Sequence, residues 1–298
     1  MRIDRESIIR LLREARDAGA TDVHLKVPGR PALRVGGDLV PTSHAKLLPD
    51  DTHRAAGVLM GLAGVEIPLA RSREAEFAFG IGGIGRFRVH LFKQRGSIGI
   101  LIHRMAVEVP RLEELHAPPE WAGLAGLPGL TLCSGPRRRE LLAALVNSYN
   151  HGRRGHVILL EEMMEYLHTD HSASISQREV GIDTDDWASG LRSALRQDPD
   201  LVVLGDVVDL TVAELALRAA EGGTSVLVGI PTPDPSRAVP WFATLFGTHR
   251  ESEVAQRVAE VLVGAVALTR HGAMVLELDE AVRGAIRMGS PLPRPVAC

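Results

Sequence analysis

Lysine is nearly missing from this chain of 298 residues: Lys26, Lys46 and Lys93 are the three present, and none follows. A phosphate-cradling P-loop needs a Gly-rich turn, a Lys for the β/γ-phosphates and a Ser/Thr for the metal, so the region beyond Lys93 holds no loop of that kind. Cysteine is also scarce. Cys133, inside an apolar run, and Cys298, the last residue, make no disulfide framework, which suits a reducing compartment. Net charge is −3, so there is no general polycation for nucleic acid or anionic lipid. No run approaches the ~18 uncharged apolar residues a membrane span requires, and Met1–Glu6 carries acids in place of a signal-peptide core. We therefore expect no nucleic-acid partner, no membrane insertion and a cytoplasmic location.

What is present fits two folded domains, with 45% hydrophobic and 24% charged residues. Ile8, Ile9, Leu11, Leu12 and Ala15 share a helical face, which Gly19 ends. Residues 22–27 and 32–35 alternate like strands around Pro28-Gly29, and Gly36-Gly37 makes a hairpin turn. A second helix is predicted through 50–63. Strands are predicted at 76–79, 86–92 and 98–102, the first two joined through Gly80–Gly85. Residues 1–107 thus form a small α+β module. Pro110, Pro118 and Pro119 in the charged stretch that follows suit a linker over 108–120.

From 121 to 298 the rhythm changes. Residues 130–133, 157–160, 201–204 and 226–228 are short apolar runs without alternation. Helical patterns at 139–149, 185–197 and 210–221 lie between them, and such patterns return at 252–267 and 280–287. Strands apolar on both faces, alternating with helices, predict a mostly parallel sheet covered on both sides. Asp185 or Asp186 can cap the helix before Pro199. The strand Leu201–Leu204 then delivers Asp206 at its C-terminal edge, where ligands of open α/β sheets bind.

Here the chain resembles the type IV pilus retraction ATPases, the PilT family of the type II/IV secretion ATPase superfamily. Leu191–Asp200 is similar to that family's "LRSALREDPD" run, and the strand after it resembles the one ending Gly-Glu. Ser176–Val180 resembles "NQREV", and Leu215–Gly223 resembles "LALTAAETGH". Gly19–Leu25 with Leu33–Asp38 resembles the opening "GASDLHL…RVDGD", and Gly85–His90 resembles "ARFRVN". These segments come in order and span nearly the whole chain. The resemblance implies an α/β protein with a PAS-like α+β N-terminal domain and a RecA-like C-terminal domain of the P-loop NTPase fold.

The family's working parts map unevenly. Where its GPTGSGKST-type loop belongs stand Ser134, Gly135, Pro136, Arg137, Arg138, Arg139 and Glu140, about three residues short and without the Lys or the Ser/Thr. The three arginines supply charge for a phosphate, and the run also reads as a solvated basic turn. Glu161 and Glu162 keep acidic character where the family has "TIEDPIEF". Asp206 stands for the Walker B glutamate, one methylene short. Thr224 and Pro231 replace the two histidines of the His box, and Val208 replaces the Arg of "GEMRD". Arg86, Arg88 and Arg104 are the nearest counterparts of nucleotide- or subunit-contacting arginines; Arg192 and Arg196 remain beside them, and each also reads as structural. His168 and His171 lie close without a third ligand, so no zinc is expected.

Removing several groups that position and stabilise a transferring phosphoryl should cost orders of magnitude in rate. The resemblance thus implies a PilT-like pseudo-ATPase, a non-hydrolysing structural or regulatory subunit of a pilus or secretion motor. Asp206 and Glu162 would be residual catalytic positions, and Gly135 to Arg139 with Glu161 a degenerate nucleotide site. No cofactor is expected, and Mg-ATP only if nucleotide binding survives. The implied partners are copies of the chain, as a hexamer, or an active relative, with a platform protein at the cytoplasmic face of the inner membrane. The alternative is a weak ATPase in which Arg137–Arg139 replace the lysine.

Overall fold

The computed structural model describes residues 3–69, 72–105, 108–247 and 249–298. Met1, Arg2 and Val107, the edges of the first predicted domain, lie outside the described residues. The chain divides into two compact units, 1–107 and 108–298.

The first unit opens with helix α1 (Arg5–Asp17), whose N-cap Asp4 accepts from the Ser7 amide in a capping box. Its apolar stripe of Ile8, Leu11, Leu12 and Ala15 is buried. Strands β1 (Asp22–Leu25), β2 (Ala32–Val35) and β3 (Asp38–Pro41) follow. Then come helix α2 (Pro49–Ala63) and strands β4 (Glu74–Ile81), β5 (Gly85–Gln94) and β6 (Ser97–Arg104). They form one sheet in the order β3-β2-β1-β6-β5-β4, every pairing antiparallel. Phe87, Val89 and Leu91 of β5 point into the same core as Val23, Leu25, Ile100 and Ile102. Strand periodicity puts Arg86, Arg88 and His90 on the other face.

In the second unit a short 3-10 helix (Pro119–Gly126) leads into β7 (Gly129–Ser134) and α3 (Arg138–Gly152), then β8 (His156–Glu161) and β9 (Ser174–Glu179). Helix α4 (Trp187–Leu195), β10 (Leu201–Leu204), α5 (Leu210–Glu221) and β11 (Ser225–Gly229) continue the alternation. Helices α6 (Pro235–Thr244) and α7 (Glu251–Val261), strands β12 (Leu262–Thr269) and β13 (Gly272–Val275), helix α8 (Glu280–Arg287) and strand β14 (Val296–Ala297) complete it. The sheet order is β14-β13-β12-β7-β11-β10-β8-β9. Pairings from β12 to β9 are parallel, and those with β13 and β14 antiparallel. Alternate residues of the central strands enter two cores. Leu130, Leu132, Val202, Leu204, Val226 and Val228 pack under α4 to α8. Cys133, Val157, Leu159, Val203 and Leu227 pack under α3 and the 3-10 helix. Burial on both faces is the reason these strands carry no polar alternation. The fold is α/β with the expected antiparallel α+β first unit and mostly parallel second sheet.

Three local expectations change. The helical pattern over 252–267 breaks at Val261, and Leu262–Thr269 is the strand beside β7. An apolar run buried on both sides carries no period to tell strand from helix. The polar strand β9 gave no sequence signal, because it sits at the sheet edge and is made by pairing with β8 alone. Helix α6 is masked in sequence by Pro235 and Pro240; Asp234 caps it, accepting from Ser236 and Arg237. Within the stretch expected as a linker, 108–120, Leu112, Leu115 and Ala117 pack into a core of the second unit, and Asn147 Nδ2 donates to the Pro110 carbonyl at 3.2 Å.

Candidate functional site

In a parallel α/β sheet the strands' C-terminal ends and the helix N-termini that follow converge on one rim, where ligands bind. Here that rim holds the turn between β7 and α3, the exit of β10 at Asp206, and the β8–β9 connection with Glu161, Glu162 and Glu165. Gly229 and Gly205 pack tightly beneath it: a Cβ on Gly229 would run into the Gly205 carbonyl.

Three amides of the turn are already engaged. The Gly135 N–H donates to the Thr232 carbonyl at 2.8 Å, the Arg137 N–H to the Leu268 carbonyl at 3.3 Å, and the Arg138 N–H to the Gly135 carbonyl at 3.2 Å. Pro136 has no N–H. Gly135 adopts φ +88°, and a Cβ there would strike the Leu268 carbonyl. The turn is therefore seated on β12, and Thr232 is itself buried and held by its hydroxyl on the Asp234 carbonyl. A phosphate nest depends on successive N–H groups converging on open space; these converge on protein carbonyls.

The guanidinium groups are paired as well. Arg137 is bound to Glu140, its Nε at 2.9 Å from Oε2. Arg138 Nη2 donates to both oxygens of Asp206, at 3.1 and 3.0 Å, and both side chains are about four-fifths buried. Arg139 Nη1 donates to Glu165 Oε1 at 2.5 Å, and its Nη2 lies 3.9 Å from Asp206. Three cations meet three carboxylates. Glu140 and Glu165 were not singled out in the sequence. An acid three residues after an Arg was the available sign of one; only tertiary structure places the other.

Behind Arg139, desolvation pushes the Glu161 carboxyl up to about 7. The Gln177 amide donating to it at 3.2 Å opposes the shift, and the charge of Glu165 adds to it. Burial, with Glu140 and Glu165 nearby, raises the Tyr166 hydroxyl to about 12. Burial lowers His168 to about 4, and its Nδ1 is enclosed without a hydrogen-bond partner among the described residues. Glu162 is exposed.

The structure thus brings together Arg137, Arg138, Arg139, Asp206 and, one layer back, Glu161. The other predicted arginines lie elsewhere. In the first unit Arg88 Nε donates to Glu76 at 2.6 Å, and Arg104 Nε to the Ala20 carbonyl at 2.9 Å. Arg86 lies on β5 with its Nε buried and unpartnered among the described residues. Arg192 and Arg196 are exposed on α4 and at its C-terminal cap. Thr224 precedes β11, at the end of the sheet opposite the rim, while Pro231 follows that strand. Among the described residues no group of three or more His, Cys, Asp or Glu is arranged to hold a metal ion, and no helix is long and apolar enough to cross a membrane.

A mostly parallel sheet with the β7–turn–α3 unit and, one strand removed across β11, an acid at the exit of β10 defines a P-loop-NTPase-like protein. The sequence pattern of the family described as "Type II/IV secretion system protein" matches residues 133–270. The chain is 30% identical over 251 residues to the type IV pilus ATPase PilU of Pseudomonas aeruginosa, covering 82% of this chain and 65% of that protein. It is 29% identical over 273 residues to the type IV pilus retraction ATPase PilT of the same organism, covering 88% and 77%. The crystal structure of the pilus retraction motor PilT with bound ADP superposes with a TM-score of 0.85 at 29% identity, covering 95% of this chain and 86% of that one. The ATPase DotB of Legionella pneumophila, at 20% identity and a TM-score of 0.80, shares the fold. The chain belongs to the PilT-like type II/IV secretion ATPase family. Of the donors that the Mg-ATP implied by the family would use, the amides of Gly135, Arg137 and Arg138 are engaged, each arginine is paired, and Asp206 is held by Arg138.

Proposed function

We propose that this protein is a non-hydrolysing PilT-like subunit, structural or regulatory, of a type IV pilus or related secretion motor. One observation carries the reading: the amides of Gly135, Arg137 and Arg138 are all spent on protein carbonyls. A triphosphate approaching this turn finds those three donors taken, and phosphoryl transfer depends on such positioning. The frame around the turn keeps the family's strands, helix caps and cores, which suits a subunit selected for shape and contact. On this reading it assembles as a hexamer, with itself or with an active relative, at the cytoplasmic face of the inner membrane beside a pilus platform protein. Residues 108–120 connect its two domains. Arg86, Arg88, Arg104, Arg192 and Arg196 serve structure or subunit contact, and Asp206 with Glu162 occupies former catalytic positions.

The test is ATP turnover by the purified chain at saturating Mg-ATP, alone and mixed with an active retraction ATPase. We expect none from the chain alone and a changed rate in the mixture. Turnover by the chain that disappears in Asp206→Ala would overturn the reading.

A further inference from the structure

Asp206 and Glu165 face the arginines as a bound anion would. Arg138 gives one nitrogen to both oxygens of Asp206. Arg139 reaches across, with Glu165 on one nitrogen and Asp206 near the other. The acids come from different places, the exit of β10 and the β8–β9 connection, and the arginines from the start of α3. Arg138 also keeps a buried Nε with no hydrogen-bond partner among the described residues. Its guanidinium therefore has donor capacity that Asp206 does not fill. We infer that Asp206 and Glu165 are built-in occupants of a polyphosphate-binding arginine pair, masking Arg138 and Arg139 from anions in solution.

The inference rests on the reading above, in which the amides of Gly135, Arg137 and Arg138 are unavailable to a ligand. The arginine charge is then the main attraction for an anion. Arginine pairs with carboxylate and phosphate through the same planar donor geometry, so the two compete for one site. A carboxylate fixed by the fold competes at an effective concentration of millimolar or more, set by geometry and not by supply. Asp206 also gives up little freedom in pairing, because it directly follows a buried strand and Gly205. With Glu140 counted, the cluster is neutral, and a free polyanion gains no net attraction. Neutralising Asp206 and Glu165 leaves two positive charges at the rim.

The probe is inorganic tripolyphosphate, titrated calorimetrically at low salt into the full chain. The wild type should show no saturable binding at millimolar ligand. Asp206→Asn with Glu165→Gln should bind at least about tenfold more tightly than that limit, and adding Arg138→Gln and Arg139→Gln should abolish the gain. Glu165 lies outside any strand or helix, so Glu165→Gln alone tests the idea if the double variant does not fold, and it too should gain affinity. Saturable binding by the wild type overturns the masking. So does a folded variant, double or single, that gains nothing. ATP hydrolysis by the wild type would instead overturn the functional reading, so the two failures are distinguishable.

Discussion

The amide of Gly135 donates to the carbonyl of Thr232 at 2.8 Å, which ties the start of the β7–α3 turn to the segment after β11. In a nucleotide-binding turn the corresponding amides face phosphate; here they hold the turn onto its own sheet. The contact that turns this donor away from a ligand is also one that stabilises the fold.

Gly135 should accordingly be intolerant of a side chain. At φ +88° a Cβ is strained, and it would strike the Leu268 carbonyl. We expect Gly135→Ala to cost about 2–4 kcal/mol in urea unfolding. Gly152→Ala, where nothing lies within 4 Å of the added Cβ, should change stability by less than about 1 kcal/mol. Equal effects of the two substitutions would contradict the seating of the turn.

Asn150 should anchor the connection between β8 and β9. It is buried, its Nδ2 donates to the Thr169 carbonyl at 2.8 Å, and its Oδ1 accepts from the His171 N–H at 3.0 Å. Asn150→Ala leaves two backbone groups unpaired and should cost about 2 kcal/mol. Amide hydrogen exchange should rise over residues 162–173 and stay unchanged in the first unit.

Two groups should give the second unit opposite pH responses. Glu161 is raised from 4.5 to about 7 by burial, so between those values the folded state holds the proton and the unfolded chain has lost it. Its contribution to stability is present at low pH and lost as pH rises toward and through 7. His168 is lowered from 6.5 to about 4, also by burial, so in that interval the unfolded chain binds the proton and the folded state does not. Its contribution is present above 6.5 and lost as pH falls through 4. In melting temperatures taken from pH 4 to 8, Glu161→Gln should remove the loss between 5 and 7. His168→Leu should remove an acid-side loss. An unchanged profile in either variant would refute that residue's assignment.

Much of this was open to reading in the chain itself. The apolar runs at 130–133, 157–160, 201–204 and 226–228 announce doubly covered parallel strands, because burial on both faces leaves no room for polar alternation. The missing lysine after Lys93 and the shortened stretch Ser134–Glu140 are facts of composition and length, independent of conformation. Asp206 at a strand exit follows from Leu201–Leu204 and the glycine after it. Tertiary structure alone decided where the turn's donors point. Thr232 and Leu268 accept through main-chain carbonyls, which every residue type has, so no side-chain pattern marks them. The pairing of Arg138 with Asp206 joins positions 68 residues apart, and that of Arg139 with Glu165 joins positions 26 apart. Sequence shows three cations and several acids; whether they attract a ligand or one another depends on distance, and only the folded sheet sets that distance.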